Sequence, residues 1–247
     1  MRTALVTGAA SGIGAATARL LAGGGWRVIA ADVRARALVA LAEEVGVEAV
    51  ELDVADEASV RDAFGRVASL TPSLDALVCS AGIVAVSRFE ASSQAEWERV
   101  LRVNVVGSYL CLQAALPLLR AAAPPARVVN LASTAGKVGA PSFAAYAASK
   151  AAVISLTRSA AVALAPDVLV NCVCPGPVET PMWSDAIDPA MAELGVPDAL
   201  AARAAEIPLG RAGRPDEVAR VIEFLLGDGG AYIVGEDLNV NGGVVLH

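Results

Sequence analysis

Apolar residues along this chain follow two rhythms that alternate from one end to the other. Short runs that are apolar on both faces fall at residues 3–7, 27–31, 48–52, 76–79, 127–132, 169–174 and 237–240. Helical patterns lie between them, at 13–22, 35–45, 58–68, 94–119, 144–164 and 215–226. Strands without a polar face, separated by helices, predict a parallel sheet covered on both sides. Right-handed crossovers then leave a doubly wound, Rossmann-type α/β sheet of about seven strands as the natural topology. Residues 1–247 read as one domain, because sheets of this kind can exceed ~200 residues without dividing. Pro124 and Pro125 stop a helix ahead of a strand. The longest gap, 180–209, is rich in Pro, Ala and Met and reads as a substrate lid. It falls at the carboxyl end of the sheet, where open α/β folds bind ligands.

Composition narrows the function classes. The chain is 55 % apolar but only 4 % aromatic, so its core depends on close approach of small side chains. A net charge of −7 without a basic stripe argues against nucleic acid as a partner. The opening Met1-Arg2-Thr3-Ala4-Leu5-Val6-Thr7-Gly8 is a strand entering a glycine turn, not a secretory signal. No apolar run reaches ~18 residues free of charge, proline or strongly polar residues, so no membrane span is expected. Cys79, Cys111, Cys172 and Cys174 form no C-x-x-C pair, which predicts reduced thiols, a cytoplasmic setting and no metal. Cys172 and Cys174 share one face of a strand as small core residues. The only histidine is the last residue, His247, which leaves no positioned imidazole for a Ser-His-Asp triad or a His-based zinc site.

The first turn reads Thr7-Gly8-Ala9-Ala10-Ser11-Gly12-Ile13-Gly14. Its glycines let the backbone approach a pyrophosphate, and the helix that starts there offers free N–H groups. Asp32 closes the second strand. Its carboxylate can accept from both adenosine-ribose hydroxyls and would repel a 2′-phosphate, which selects NAD over NADP. Arg34 lies nearby and works against that choice, and Asp32 can also serve as a helix cap. Asp53 ends the third strand, where it can meet the adenine edge or cap the following helix.

Tyr146 and Lys150 are four apart in a helical stretch and share one face. An ammonium ~5 Å from the phenol, at an effective dielectric of ~20, favours phenolate by about 3 kcal/mol, roughly two pKa units. The phenol can then take an alcohol proton as hydride leaves for a nicotinamide. Ser133 lies just past the fifth strand and can hold the substrate oxygen near the phenol. Thr134 is a competing hydroxyl that spacing alone does not dismiss. Asn104 sits inside the long helix 94–119, where an asparagine costs helix propensity, and can hold a water beneath Lys150.

These residues, in this order, resemble the short-chain dehydrogenase/reductase family over essentially the full chain. Thr7–Gly14 is similar to the family's TGxxxGIG turn, and Asp53-Val54 to its adenine-contact pair. Asn104, Ser133, Tyr146 and Lys150 are similar to its catalytic tetrad. Pro175, Gly176, Val178 and Thr180 resemble its nicotinamide-contacting segment, and Asn239-Val240-Asn241-Gly242-Gly243 its closing strand and turn. The resemblance implies that Gly8, Ser11, Gly12, Ile13, Gly14, Ala81 and Gly82 also approach the cofactor. It implies as well that Lys150 binds the nicotinamide ribose and that Val178 contacts the carboxamide through its backbone. Pairing of the 94–119 and 144–164 helices in a homotetramer is implied too, with a dimer as the smaller possibility. One departure stands out: Cys79-Ser80-Ala81-Gly82 replaces the usual Asn-Asn-Ala-Gly, and a thiol cannot repeat the amide's bonds.

The expected substrate is a small alcohol or ketone, in a mainly apolar pocket lined by Ala135, Phe143, Pro177, Met182 and Trp183 with Ser133 and Tyr146 at its base. A 3-oxoacyl-carrier-protein reductase is the enzyme alternative, kept open by Arg120 and Arg127. A nucleotide-sensing protein without catalysis is the alternative of another class.

Overall fold

The computed structural model describes residues 1–246; His247 lies outside the described residues. Seven parallel strands form one sheet: β1 (Thr3–Thr7), β2 (Arg27–Asp32), β3 (Glu48–Glu51), β4 (Ala76–Cys79), β5 (Ala126–Leu131), β6 (Val168–Pro175) and β7 (Asp237–Val240). Their spatial order is β3-β2-β1-β4-β5-β6-β7. The order reverses between β1 and β4, and that switch opens a crevice at the carboxyl ends of the strands.

Alternation along each strand sorts the core into two layers. Ala4, Val6, Val28, Ala30 and Val78 pack against α1 (Gly12–Gly23), α2 (Ala35–Val45) and α9 (Pro215–Leu226). Leu5, Ile29, Leu77, Val128 and Val170 face the other way, onto α3 (Glu57–Leu70), α5 (Gly107–Ala121) and α6 (Ala144–Leu164). Both faces of the central strands are therefore apolar, as the unbroken runs in the sequence require. Cys172 and Cys174 point to one side and pack with Ala132, Val153 and Ile154.

Two sequence expectations change in detail. The single helix expected at 94–119 is two helices, α4 (Gln94–Leu101) and α5, joined by a π-helical turn at Arg102–Val106. The lid at 180–209, where no helix was expected, is largely helical. It contains a π-helical turn at Trp183–Ile187, then α7 (Asp188–Glu193) and α8 (Ala199–Glu206). The stretches Gln94–Ala121 and Pro141–Leu164 are long and apolar enough to cross a membrane by length and composition. Here α5 and α6 instead cover one face of the sheet.

Candidate active site

A cavity of about 620 Å³ opens at the carboxyl ends of the strands. The turn after β1 forms its floor. Gly8 has φ +66° and packs so closely on β4 that a Cβ would lie 2.6 Å from Ala81 N. At Gly14 a Cβ would lie 2.2 Å from Gly8 O, so the turn closes on itself only with glycine there. Thr7 Oγ1 accepts from the N–H groups of Ser80 and Ala81 at 3.2 and 3.3 Å, which ties the ends of β1 and β4 together. Ser11 precedes α1 but makes no side-chain cap bond, so the first N–H groups of the helix face the cavity unclaimed by it. That is a cradle for a phosphate group.

Asp32 is buried at the end of β2. Its carboxylate accepts from Ala10 N at 3.0 Å, from Arg34 N at 2.9 Å and from Arg34 Nε at 3.2 Å. Arg34 then reaches Ser11 Oγ at 2.6 Å, bridging the two sides of the cleft. Asp53 lines the cavity and closes a local turn through Ala55 N; the helix cap that follows is Asp56, not Asp53. Val54 also lines the wall.

At the other end, Ser133, Tyr146 and Lys150 line the same cavity. Thr134, the rival hydroxyl, turns away and donates to Pro175 O at 3.2 Å. Lys150 Nζ lies 5.6 Å from the Tyr146 ring centre and donates to Leu131 O at 2.6 Å. Burial pulls the Lys150 ammonium down to about 8. Burial also pushes the Tyr146 phenol above its ordinary value, and its hydrogen bond with Ser133 pulls it back only in part. Desolvation is thus the dominant effect on the phenol, and the acidified phenol expected from sequence is not a property of these side chains alone.

Asn104 sits in the π-helical turn and is buried. Its amide exchanges two bonds with the backbone of Ile83 and donates to Ser149 Oγ, each at 2.9 Å. Gly82 leaves a space between it and Lys150: a Cβ there would lie 3.3 Å from Asn104 Oδ1 and 3.5 Å from Lys150 Nζ. Cys79, which stands where the family usually has an asparagine, is a buried core thiol whose Sγ lies 4.0 Å from Ser108 O.

After β6, Gly213 N donates to Pro177 O and Glu179 N donates to Gly213 O, both at 2.9 Å, which makes Val178 a parallel bridge partner of Gly213. In a parallel bridge the flanking residues make these bonds, so the N–H and C=O of Val178 itself point the opposite way. Pro175, Gly176, Val178 and Thr180 all line the cavity.

The structure brings the expected substrate wall to the cavity only in part. Met182 lines the cavity, whereas Ala135, Phe143, Pro177 and Trp183 do not. The helical turn of the lid explains the difference at Trp183. Met182, Asp185 and Ala186 are spaced i, i+3, i+4 and share the cavity face, which leaves Trp183 off it. Ala135 belongs to the 3-10 turn where its N–H serves Ser133, and Pro177 is held by Gly213. Phe143 sits in a short 3-10 turn at the entry to α6. Ile83, Val84, Arg99 and Val103 line the wall unanticipated; helical spacing between Arg99 and Val103 was the one available signal.

A sheet of this order, with a tyrosine and a lysine facing its ligand crevice, is the architecture of a nicotinamide-dependent oxidoreductase. Comparison with known proteins agrees. The family profile described as Enoyl-(Acyl carrier protein) reductase matches residues 8–245. A cis-4-hydroxycyclohexanecarboxylate dehydrogenase of Sinomonas cyclohexanicum is 43 % identical over 98 % of this chain and 96 % of its own length. A 3-oxoacyl-[acyl-carrier-protein] reductase of Aquifex aeolicus is 38 % identical over 98 % of this chain and 97 % of its own. Among solved structures, a glucose/ribitol dehydrogenase of the same family from Brucella melitensis superposes with a TM-score of 0.90, 32 % identity and coverage of 100 % of this chain and 97 % of that one. The chain belongs to the short-chain dehydrogenase/reductase family.

Proposed function

We propose that the protein is an NAD-dependent oxidoreductase that interconverts a secondary alcohol and a ketone, with Tyr146 as general acid/base. The observation that carries this reading is the convergence of Ser133, Tyr146 and Lys150 on one end of a cavity whose other end is Asp32. The cavity residues fit an extended dinucleotide. Gly8, Ser11, Gly12, Ile13 and Gly14 would receive the pyrophosphate, Asp32 the adenosine ribose, and Asp53, Val54 and Val103 the adenine. Ala81, Gly82, Pro175, Gly176 and Thr180 would flank the nicotinamide, with the free N–H and C=O of Val178 meeting its carboxamide. When bound, the oxidised nicotinamide supplies the hydride acceptor and a positive charge. Ser133 then orients the substrate oxygen and Tyr146 takes its proton. Lys150 favours the phenolate and holds the nicotinamide ribose, and Asn104 keeps the space beneath Lys150 open for a water that returns the proton to solvent.

Asp32 supports NAD over NADP, because a 2′-phosphate would meet its carboxylate. Arg34, which lies beside it, is already committed to Asp32 and Ser11. The relative from Sinomonas directs attention to cyclic secondary alcohols. A carrier-protein ketoreductase is a second reading, favoured by the relative from Aquifex. Against it, Arg127 starts β5 and Arg120 ends α5, at the amino end of the sheet and away from the cavity mouth. We place the enzyme in the cytoplasm as a homotetramer built on α5 and α6, whose outer faces leave Tyr109 and Val162 exposed.

A panel of cyclic alcohols, sugar alcohols, hydroxysteroids and 3-hydroxyacyl thioesters, followed by NADH absorbance, tests this. NAD-linked turnover of a cyclic secondary alcohol is the expected result. Turnover confined to thioesters with NADP would replace it with the second reading.

A further inference from the structure

Of the 19 cationic side chains in the chain, only Lys137 and Lys150 are lysines. Both ammoniums donate to a main-chain carbonyl, Lys150 to Leu131 O at 2.6 Å and Lys137 to Asp237 O at 2.9 Å. Lysine is a compact point cation, suited to a sheltered spot that a larger guanidinium fills less well. In a chain that otherwise uses arginine, the two places that keep lysine bracket one turn, the segment 133–137 that carries Ser133.

That turn is clamped on three sides. Ser133 Oγ accepts from Ala135 N at 3.1 Å, and Lys137 N donates to Thr134 O at 2.9 Å. Gly136 lies against α6, where a Cβ would come within 2.7 Å of Lys150 C and Ala151 N. Lys137 Nζ lies 2.5 Å from Asp237 Oδ1, with the two side chains only 13 % and 14 % exposed. Arg158 of α6 pairs with the other oxygen of Asp237. Asp237 begins β7, the edge strand, in register with Cys172 of β6. A largely buried ion pair therefore fastens the Ser133 turn to the sheet edge.

We propose that Lys137 is a positioning residue whose ion pair with Asp237 fixes the distance between the Ser133 hydroxyl and the Tyr146 phenol. This rests on the reading of those two hydroxyls as the pair that handles the substrate oxygen. A pair that served stability alone would change the melting temperature and leave the chemistry of the folded enzyme as it was. A positioning pair acts on geometry, and misplacement by ~1 Å can lower a rate by about 10²-fold. It also acts on Tyr146 itself, which faces Ser133 from the β5 turn, Lys150 from α6 and Cys174 from β6. The Ser133 hydrogen bond is what draws the phenol down against burial.

The test compares wild type with Lys137→Met, Lys137→Arg and Asp237→Asn in the intact protein, below the melting temperature of each. Lys137→Met and Asp237→Asn are expected to lower kcat by about 10²-fold with the cofactor KM unchanged. In alcohol oxidation the acidic limb of the pH profile, which reports the base, should move upward, and amide exchange at Gly136 and Lys137 should quicken. Lys137→Arg should recover part of the loss. Wild-type kcat and acidic limb in Lys137→Met would overturn the proposal, as would an arginine variant no better than methionine. Amide exchange needs no turnover. A wild type inactive on every alcohol would sink the assigned reaction, whereas unchanged exchange at 136 and 137 would sink the clamp.

Discussion

Burial of the Lys150 ammonium makes the stability of this protein depend on pH in one direction. The residue is 5 % exposed, and desolvation lowers its value from 10.5 to about 8. Between those two values the unfolded chain holds the proton and the folded chain has released it. Stability must then rise with pH across the window, by about 1.4 kcal/mol per pH unit and about 3 kcal/mol in all. Below pH 8 both states carry the charge and the full desolvation penalty acts. Above 10.5 both are neutral and it is gone. Lys150→Met removes this titration, while other groups titrate in both proteins and cancel to first order. Urea denaturation from pH 7 to 10.5 should therefore show the difference in unfolding free energy moving about 3 kcal/mol toward the wild type. At pH 7 two effects compete. Methionine relieves the desolvation but leaves Leu131 O without its donor, a loss of about 1–3 kcal/mol. The variant should be at least as stable as wild type there, and without turnover. A difference that stays flat or falls with pH refutes the reasoning.

Asp32→Ala removes the acceptor for Ala10 N, Arg34 N and Arg34 Nε and frees Arg34 to meet a 2′-phosphate. The ratio of NADPH to NADH affinity should rise at least about tenfold, a shift of ~1.4 kcal/mol read by nicotinamide fluorescence; an unchanged ratio contradicts the role of Asp32. Gly14→Ala places a methyl 2.2 Å from Gly8 O, so it should lower stability by about 1–3 kcal/mol and abolish NADH binding. Normal melting together with normal binding would show that the turn is not packed as described.

The sheet was legible because its signal is local. Runs such as Leu5-Val6 and Val128-Val129 are apolar on both faces, and only a strand between two layers of helices satisfies that. The cleft residues were legible for a related reason: strand ends of a doubly wound sheet converge, so Gly8, Asp32, Ala81, Ser133 and Pro175 meet whatever lies between them. The break at Asn104 was not legible, since α4, the π-helical turn and α5 run on without a non-helical residue and no proline marks the join. The helices of the lid were not expected from a stretch rich in proline, yet Pro181 and Pro189 each stand near the start of a helical turn, where proline is accepted. The sign of the Tyr146 shift was out of reach, because burial is a property of the packed structure and the spacing of Tyr146 and Lys150 carries none of it.

Tyr146→Phe, which keeps the ring and removes only the hydroxyl, bears most directly on the assigned chemistry. With an alcohol that the wild type oxidises, kcat should fall by about 10²–10⁴-fold, while the NADH dissociation constant stays as it was. A variant that keeps wild-type turnover would contradict the account at its centre, for the proton would then be leaving by another route.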